Sequence, residues 1–131
     1  MTIIGIGSDM VKISRIEALL ERYREHFSER VFTAREIDYA SPKKRPALHL
    51  AARFAAKEAF LKALGRGLGA GLEWRDIEVV NNAFGRPELK LYNKAAKLCN
   101  ELNRATAWLS LTHEQEFALA FVVLEKTGGQ A

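Results

Sequence analysis

The first apolar segment, Thr2-Ile3-Ile4-Gly5-Ile6-Gly7, is rich in β-branched residues and barely alternates. That pattern predicts a buried strand ending at Gly7, with Asp9 just beyond it. From Ile13 to Phe27 the spacing becomes helical. Ile16, Leu20, Tyr23 and Phe27 form one stripe, and Arg15, Leu19, Arg22 and His26 form a second about 80° away, so one stripe is expected to meet the core while the other is basic. Thr33-Ala34-Arg35-Glu36 has the spacing of a capping box and predicts a short helix reaching about Ala40. Ser41 to Pro46 breaks it and leaves Lys43, Lys44 and Arg45 on a loop.

Pro46 suits the first turn of the next and longest helix, which Ala and Leu carry to Leu64, with Gly65 as its stop. Gly65, Gly67, Gly69 and Gly71 then form a loose connection. Ile77-Glu78-Val79-Val80 and Glu88-Leu89-Lys90-Leu91 read as two strands of a hairpin turning through Asn81, Asn82, Gly85 and Pro87. A short amphipathic helix is expected from Asn93 to Asn103, then strands at about residues 107 to 112 and 117 to 125, and a fraying tail over 128 to 131. This order predicts an α+β fold in which an antiparallel sheet packs against one long helix. At 131 residues it is expected to form one domain, 1–131.

Composition narrows the class without selecting a function. Hydrophobic residues make up 48% and charged residues 27%, enough for a core and too apolar for a disordered chain. The longest apolar run, Phe117 to Leu124, is far short of the roughly 20 residues of a membrane helix, and the amino terminus lacks a basic leader, so a cytoplasmic protein without membrane partner is expected. Cys99 is the single cysteine, which excludes an internal disulfide and multi-cysteine zinc sites. A net charge of +4 and a pI near 9.4 favour an anionic partner or substrate.

The glycine-rich stretches do not complete a nucleotide motif. Gly5 to Met10 lacks the third glycine of a dinucleotide fingerprint, and the 65 to 71 stretch follows a helix and has no Gly-Lys-Ser/Thr ending. His26, His49 and His113 have no metal-ligand spacing. On the long helix, Glu58 falls between Phe54 and Leu61 on one side and Ala51 and Ala55 on the other. A carboxylate in such an apolar stripe calls for a cation or a metal. Lys62, four residues on, supplies one account as a plain helix ion pair, and Asp9 has an equally simple one as the cap of the helix that follows it. A small basic module gripping nucleic acid through Arg15, Arg22 and the Lys43 to Arg45 run is the alternative to an enzyme. Few aromatic residues are interleaved with those cations and no nucleic-acid signature accompanies them, which argues for no nucleic-acid partner.

Two segments change the weighing. Gly5-Ile6-Gly7-Ser8-Asp9-Met10-Val11, followed by Arg53-Phe54-Ala55-Ala56-Lys57-Glu58-Ala59-Phe60-Leu61-Lys62-Ala63-Leu64-Gly65, resembles the two signature segments of the holo-acyl-carrier-protein synthases, the short 4′-phosphopantetheinyl transferases. The likeness continues through Gly85-Arg86-Pro87 and Ser110-Leu111-Thr112-His113 and covers nearly the whole chain. It implies that Asp9 and Glu58 hold Mg²⁺ and that Lys62 contacts the phosphates of coenzyme A. An ion that prefers one or two carboxylates, with water and phosphate completing its octahedron, suits such a pair. The implied reaction moves 4′-phosphopantetheine from coenzyme A to a serine of an acidic apo acyl carrier protein and releases adenosine 3′,5′-bisphosphate. Glu58, directly or through a bound water, is the candidate base, and Asp9, Glu58 and Lys62 form the candidate catalytic set.

The resemblance further assigns Arg53 and His113 to coenzyme A phosphates and places Gly85, Arg86 and Pro87 near the adenine. It gives the first helix, through Arg15, Leu19 and Arg22, to carrier docking, and implies a homotrimer with sites shared between subunits. For His113, a strand-end residue capped by solvent is the other account. Val11 occupies the position of a third acid in larger relatives, as in the short members. Two positions depart from the pattern: Lys12 stands where many short members carry Glu, and Glu114 where they often have a small hydroxyl or Asp.

Overall fold

A computed structural model describes residues 1–102 and 105–126, so the expected helix end at Asn103 and the tail over 128 to 131 lie outside the described residues. The chain order is β1 (Thr2–Lys12), α1 (Ile13–Tyr23), α2 (Glu25–Val31), α3 (Ala34–Ala40), α4 (Pro46–Leu64), a 3-10 turn (Trp74–Asp76), β2 (Ile77–Asn81), β3 (Pro87–Leu91), α5 (Asn93–Glu101), β4 (Thr106–His113) and β5 (Phe117–Lys126). Three strands pair antiparallel in the order β1-β5-β4, and β2 and β3 form a separate antiparallel hairpin.

The centre of the molecule is α4. Alanine and leucine favour the helix, Pro46 opens it, and Gly65 closes it at φ 73°, its N–H bonding back to the carbonyls of Leu61 and Lys62. Because α4 is apolar on almost every side, it is buried on almost every side, with Ala51, Ala55, Ala56, Ala59 and Phe60 wholly inaccessible. One flank lies on the three-stranded sheet, so closely that a Cβ at Gly5 would fall on the carbonyl oxygen of Ala63 and one at Gly7 on that of Ala59. The glycines of the first signature segment are thus a contact surface for the helix and have no phosphate to cradle. The opposite flank faces α3 and the β2–β3 hairpin.

Several expectations are corrected. β1 does not end at Gly7; it stays paired with β5 to Lys12↔Phe117, so Asp9 sits within the strand opposite Ala120. Nor is β1 buried. It is an edge strand with only one face on α4, leaving Ile3, Ile6 and Met10 more than half exposed. The predicted helix from Ile13 to Phe27 is two helices, because Arg24 takes φ 49° and ψ −124° and redirects the chain. The bend lets Val31 and Phe32 enter the core, where Phe32 meets Phe27 edge-on at 5.9 Å. The single expected sheet is divided, and the glycine-rich connection contains a tight turn bridging Gly69 and Leu72. The capping box of α3 is present, with Thr33 and Glu36 bonding each other's backbone N–H.

Candidate active site

β1 and α4 bring the two acids together. Asp9 lies four residues beyond Gly5 on the strand face turned to α4, and Glu58 and Lys62 stand one turn apart on the helix. Lys62 Nζ donates to Asp9 Oδ1 at 3.1 Å and to the Ser8 carbonyl at 3.0 Å. Lys62 thus pairs across elements with Asp9, and the plain Glu58–Lys62 helix pair, the simpler account of the two charges, does not form. Glu58 itself has no side-chain hydrogen bond or ion pair among the described residues. Partial burial, then the like charge of Asp9, push its pKa up, against the opposing pull of Lys62 and Arg15. What reads as an apolar stripe in sequence is a four-charge cluster in space, because β1 and α1 carry their own charges to it.

This donor set fits a hard divalent cation. Two mutually repelling carboxylates, one of them without a partner, share an accessible edge with a single ammonium. Mg²⁺ takes few protein oxygens and leaves its other positions to water and phosphate. Among the described residues no cluster of three or more histidine, cysteine or acidic side chains exists, so a fully protein-built metal cage is not part of this arrangement.

Arg15, exposed on α1, reaches over Phe54 with its guanidinium 5.8 Å from the ring centre, which brings the first helix to the rim of the acid cluster. Arg22 lies over Tyr23 at 5.2 Å. Leu19 is half-buried against the core, so it is not the free-standing knob that the stripe suggests. Lys12, at the junction of β1 and α1, is exposed and makes no cap bond.

The remaining predicted residues lie elsewhere on the chain. Arg53, on the hairpin side of α4, is 4% exposed, donates to Asn81 Oδ1 at 2.8 Å and lines a cleft of about 380 Å³ with Arg35, Tyr39 and Asn81. Gly85 and Arg86 lie in the β2–β3 turn, and Pro87 opens β3 opposite Asn81. Asn82 Oδ1 accepts from Phe84 N and Arg86 N, Gly85 takes φ 82°, and Arg86 reaches Trp108 at 6.0 Å. That turn lies beside β4, on the far side of β5 from Asp9. His113 ends β4 at a cleft it shares with Arg45 and Glu114, while the Glu114 carboxylate is taken up by the backbone N–H of Glu116. The cations of the 43 to 45 run are dispersed: Lys43 lies on Tyr39, and Arg45 binds Glu17 and the Gln115 carbonyl.

Sequence reasoning passed over Lys57, the neighbour of Glu58. Its ammonium is fully buried and bonds Glu36 Oε1 at 2.8 Å, the Trp74 carbonyl at 3.2 Å and the Ile77 carbonyl. Glu36 also accepts from Val79 N. The capping box singled out Glu36, but nothing in the sequence joins it to Lys57. Nor does sequence spacing join two of the histidines whose rings the fold brings together, His49 and His113, at 6.4 Å.

The sequence profile of the 4′-phosphopantetheinyl transferase superfamily matches residues 5–122. A holo-[acyl-carrier-protein] synthase of Geobacter sp. (strain M21) is 49% identical over 124 residues, covering 95% of this chain and 99% of the relative. The crystal structure of a holo-[acyl-carrier-protein] synthase from Neisseria meningitidis superposes with a TM-score of 0.86 at 38% identity, covering 95% of this chain and all of that one. A Bacillus anthracis holo-(acyl-carrier-protein) synthase in complex with CoA (3′,5′-ADP) superposes with a TM-score of 0.80 at 38% identity, covering 97% and 100%.

Proposed function

The chain belongs to the 4′-phosphopantetheinyl transferase superfamily, as an enzyme of the holo-acyl-carrier-protein synthase kind, and from that premise we propose that it transfers 4′-phosphopantetheine from coenzyme A to a serine of apo acyl carrier protein in the cytoplasm. The observation that carries the reading is the pairing of Asp9 with Glu58 beside Lys62 at an accessible edge. The serine oxygen attacks the phosphorus that bears the pantetheine arm. The P–O bond to adenosine 3′,5′-bisphosphate breaks, and the hydroxyl proton passes to a base.

Asp9 and Glu58 are the residues that would hold Mg²⁺, which when bound supplies positive charge to the pyrophosphate. Lys62, on a four-carbon stem already reaching from α4 to β1, neutralises charge on the leaving phosphate. Glu58, directly or through a bound water, is the candidate base, and it has no side-chain partner among the described residues. Arg15 and Arg22 steer the acidic carrier to the same rim. Arg53 and His113 serve the coenzyme A phosphates, and Gly85 to Pro87 the adenine.

The second group of residues lies on the hairpin side of α4, at the end of β4 and at the β2–β3 turn, apart from the acid cluster. A homotrimer with shared sites accommodates this, and the sheet supports it. The face turned away from α4 exposes Ile6, Met10, Trp108 and Phe121, an apolar strip left open by the described residues. Light scattering should give about three times the 14.7 kDa chain mass.

The deciding assay incubates the protein with apo carrier, coenzyme A and Mg²⁺ and weighs the carrier. A mass gain of one phosphopantetheine that disappears in excess chelator is expected. No gain removes the proposed transfer, and undiminished gain in chelator removes the metal. Lys62→Met should lower kcat more than it raises the coenzyme A KM, because a cation on a leaving group matters most as charge develops. A change confined to KM would make Lys62 a binding residue only.

A further inference from the structure

Tyr39 and His49 have no part in the transfer described above, yet they fill the space between the two side chains given to the coenzyme A phosphates. The Arg53 guanidinium carbon lies 4.1 Å from the centre of the Tyr39 ring. His49 meets Tyr39 edge-on at 5.8 Å and 77°, and His113 meets His49 at 6.4 Å and 67°. Lys43 Nζ caps Tyr39 at 4.5 Å. The resulting row, Arg53 to Tyr39 to His49 to His113, ties α3, α4 and β4 together through contacts between residues distant in the sequence.

Both ends of the row have few other polar partners among the described residues. Arg53 has one side-chain hydrogen bond, to Asn81, and its Nε is buried without a partner among the described residues. The Tyr39 face is therefore a large part of what orients the guanidinium. His113 is exposed and has no side-chain hydrogen bond among the described residues, and its ring packs at 6.4 Å against that of His49. Burial, then the positive charges of Arg53 and Lys43 and the neighbouring His113, lower the pKa of His49. It is a neutral ring at pH 7, suited to spacing cations apart and unsuited to binding phosphate itself.

We propose that Tyr39 and His49 form an aromatic bridge that positions Arg53 and His113 for the phosphates of coenzyme A, an inference that rests on the phosphate roles proposed for those two residues. Tyr39 and His49 are positioning residues. They set two anion-binding groups in place before the substrate arrives, which lowers the ordering cost of binding.

The test compares His49→Leu, similar in bulk but without a ring, with His49→Phe, which keeps the ring and loses the nitrogens. Steady-state kinetics on the full chain should show His49→Leu and His113→Ala each raising the coenzyme A KM about tenfold, or about 1.4 kcal/mol. In His49→Leu, kcat and the carrier KM should stay within about twofold. His49→Phe should restore the coenzyme A KM to within about twofold, and the His49→Leu/His113→Ala double variant should be no worse than His113→Ala alone. The His113 ring protons should shift in the NMR spectrum of His49→Leu and stay near their native positions in His49→Phe. Tyr39→Leu against Tyr39→Phe asks the same question from the other end and serves where His49→Leu does not fold. A raised KM in His113→Ala with a native KM in His49→Leu overturns the bridge and leaves the phosphate roles standing. A native KM in His113→Ala overturns the phosphate role and the bridge with it. Equal losses in His49→Phe and His49→Leu, or full additivity in the double variant, also overturn the bridge.

Discussion

Lys57 and Glu58 are consecutive in sequence, and the fold puts them in opposite circumstances. Lys57 points to the hairpin side of α4, where Glu36 and two backbone carbonyls accept from its fully buried ammonium. Glu58 points to the sheet side, where it is only partly buried, faces the like charge of Asp9 and has no hydrogen-bond partner among the described residues. A charge whose every donor or acceptor is spent on its own chain can only hold structure. A charge left with free valence at an accessible edge can take a ligand. The difference separates scaffold from site along a single helix, although both residues belong to one signature segment.

The largest expected effect tests the scaffold side. Lys57→Met leaves Glu36 buried and unpaired and should destabilise the fold by about 3–5 kcal/mol, read from urea or thermal unfolding. A loss below about 1 kcal/mol would mean that the pair is not structural. Adding Glu36→Leu should recover only part, because Thr33 N and Val79 N then lose their acceptor.

The site side should behave in the reverse way. Glu58→Gln and Asp9→Ala are expected to lower turnover by about 100- to 1,000-fold, the scale of removing one preorganised electrostatic group. The Glu58→Gln midpoint should stay at or slightly above the native value, since a like-charge repulsion is relieved, and the Asp9→Ala midpoint should stay near it, since the same relief is offset by loss of the exposed pair with Lys62. A Glu58→Gln enzyme at full turnover would erase the contrast with Lys57. At the rim of the same site, Arg15→Glu with Arg22→Glu should raise the carrier KM about tenfold, flatten its salt dependence and leave the coenzyme A KM within about twofold. A carrier KM within about twofold of native would move the docking surface elsewhere.

The smallest effect sharpens the scaffold side. Burial would raise the pKa of Glu78, but hydrogen bonds from Thr33 and Tyr92 and the charge of Arg35 outweigh it and hold the pKa below the ordinary value near 4.5. A carboxyl with a depressed folded-state pKa stabilises the fold above its unfolded value, and that contribution is lost as pH falls through the folded one. Native stability should therefore decline on acidification below about pH 4.5, and Glu78→Gln should flatten that decline. An unchanged acid limb would remove Glu78 from the pH response.

Local pattern was enough to place α3 with its capping box, α4 with Pro46 and Gly65 at its ends, and the β2–β3 hairpin. Each depends on chemistry within a few residues: a cap, a left-handed stop, a turn. The signature segments likewise marked Asp9, Glu58 and Lys62. The length of β1 was not legible, because its last five residues are held by β5, more than a hundred positions away. The break at Arg24 was not legible either, since it follows from where Val31 and Phe32 find a core and not from any glycine or proline.

By itself the amino-acid order determined most of the elements, because helical and strand periods and end signals are local properties, and its signature segments singled out Asp9, Glu58 and Lys62 as candidates. Only the tertiary structure decided that Lys62 pairs with Asp9 rather than Glu58, that Lys57 is sealed by Glu36, and that Tyr39 and His49 stand between Arg53 and His113. Those pairings depend on how strands and helices pack across long sequence separations, and a side chain's partner is set by which surfaces come to lie together, which spacing along the chain does not encode.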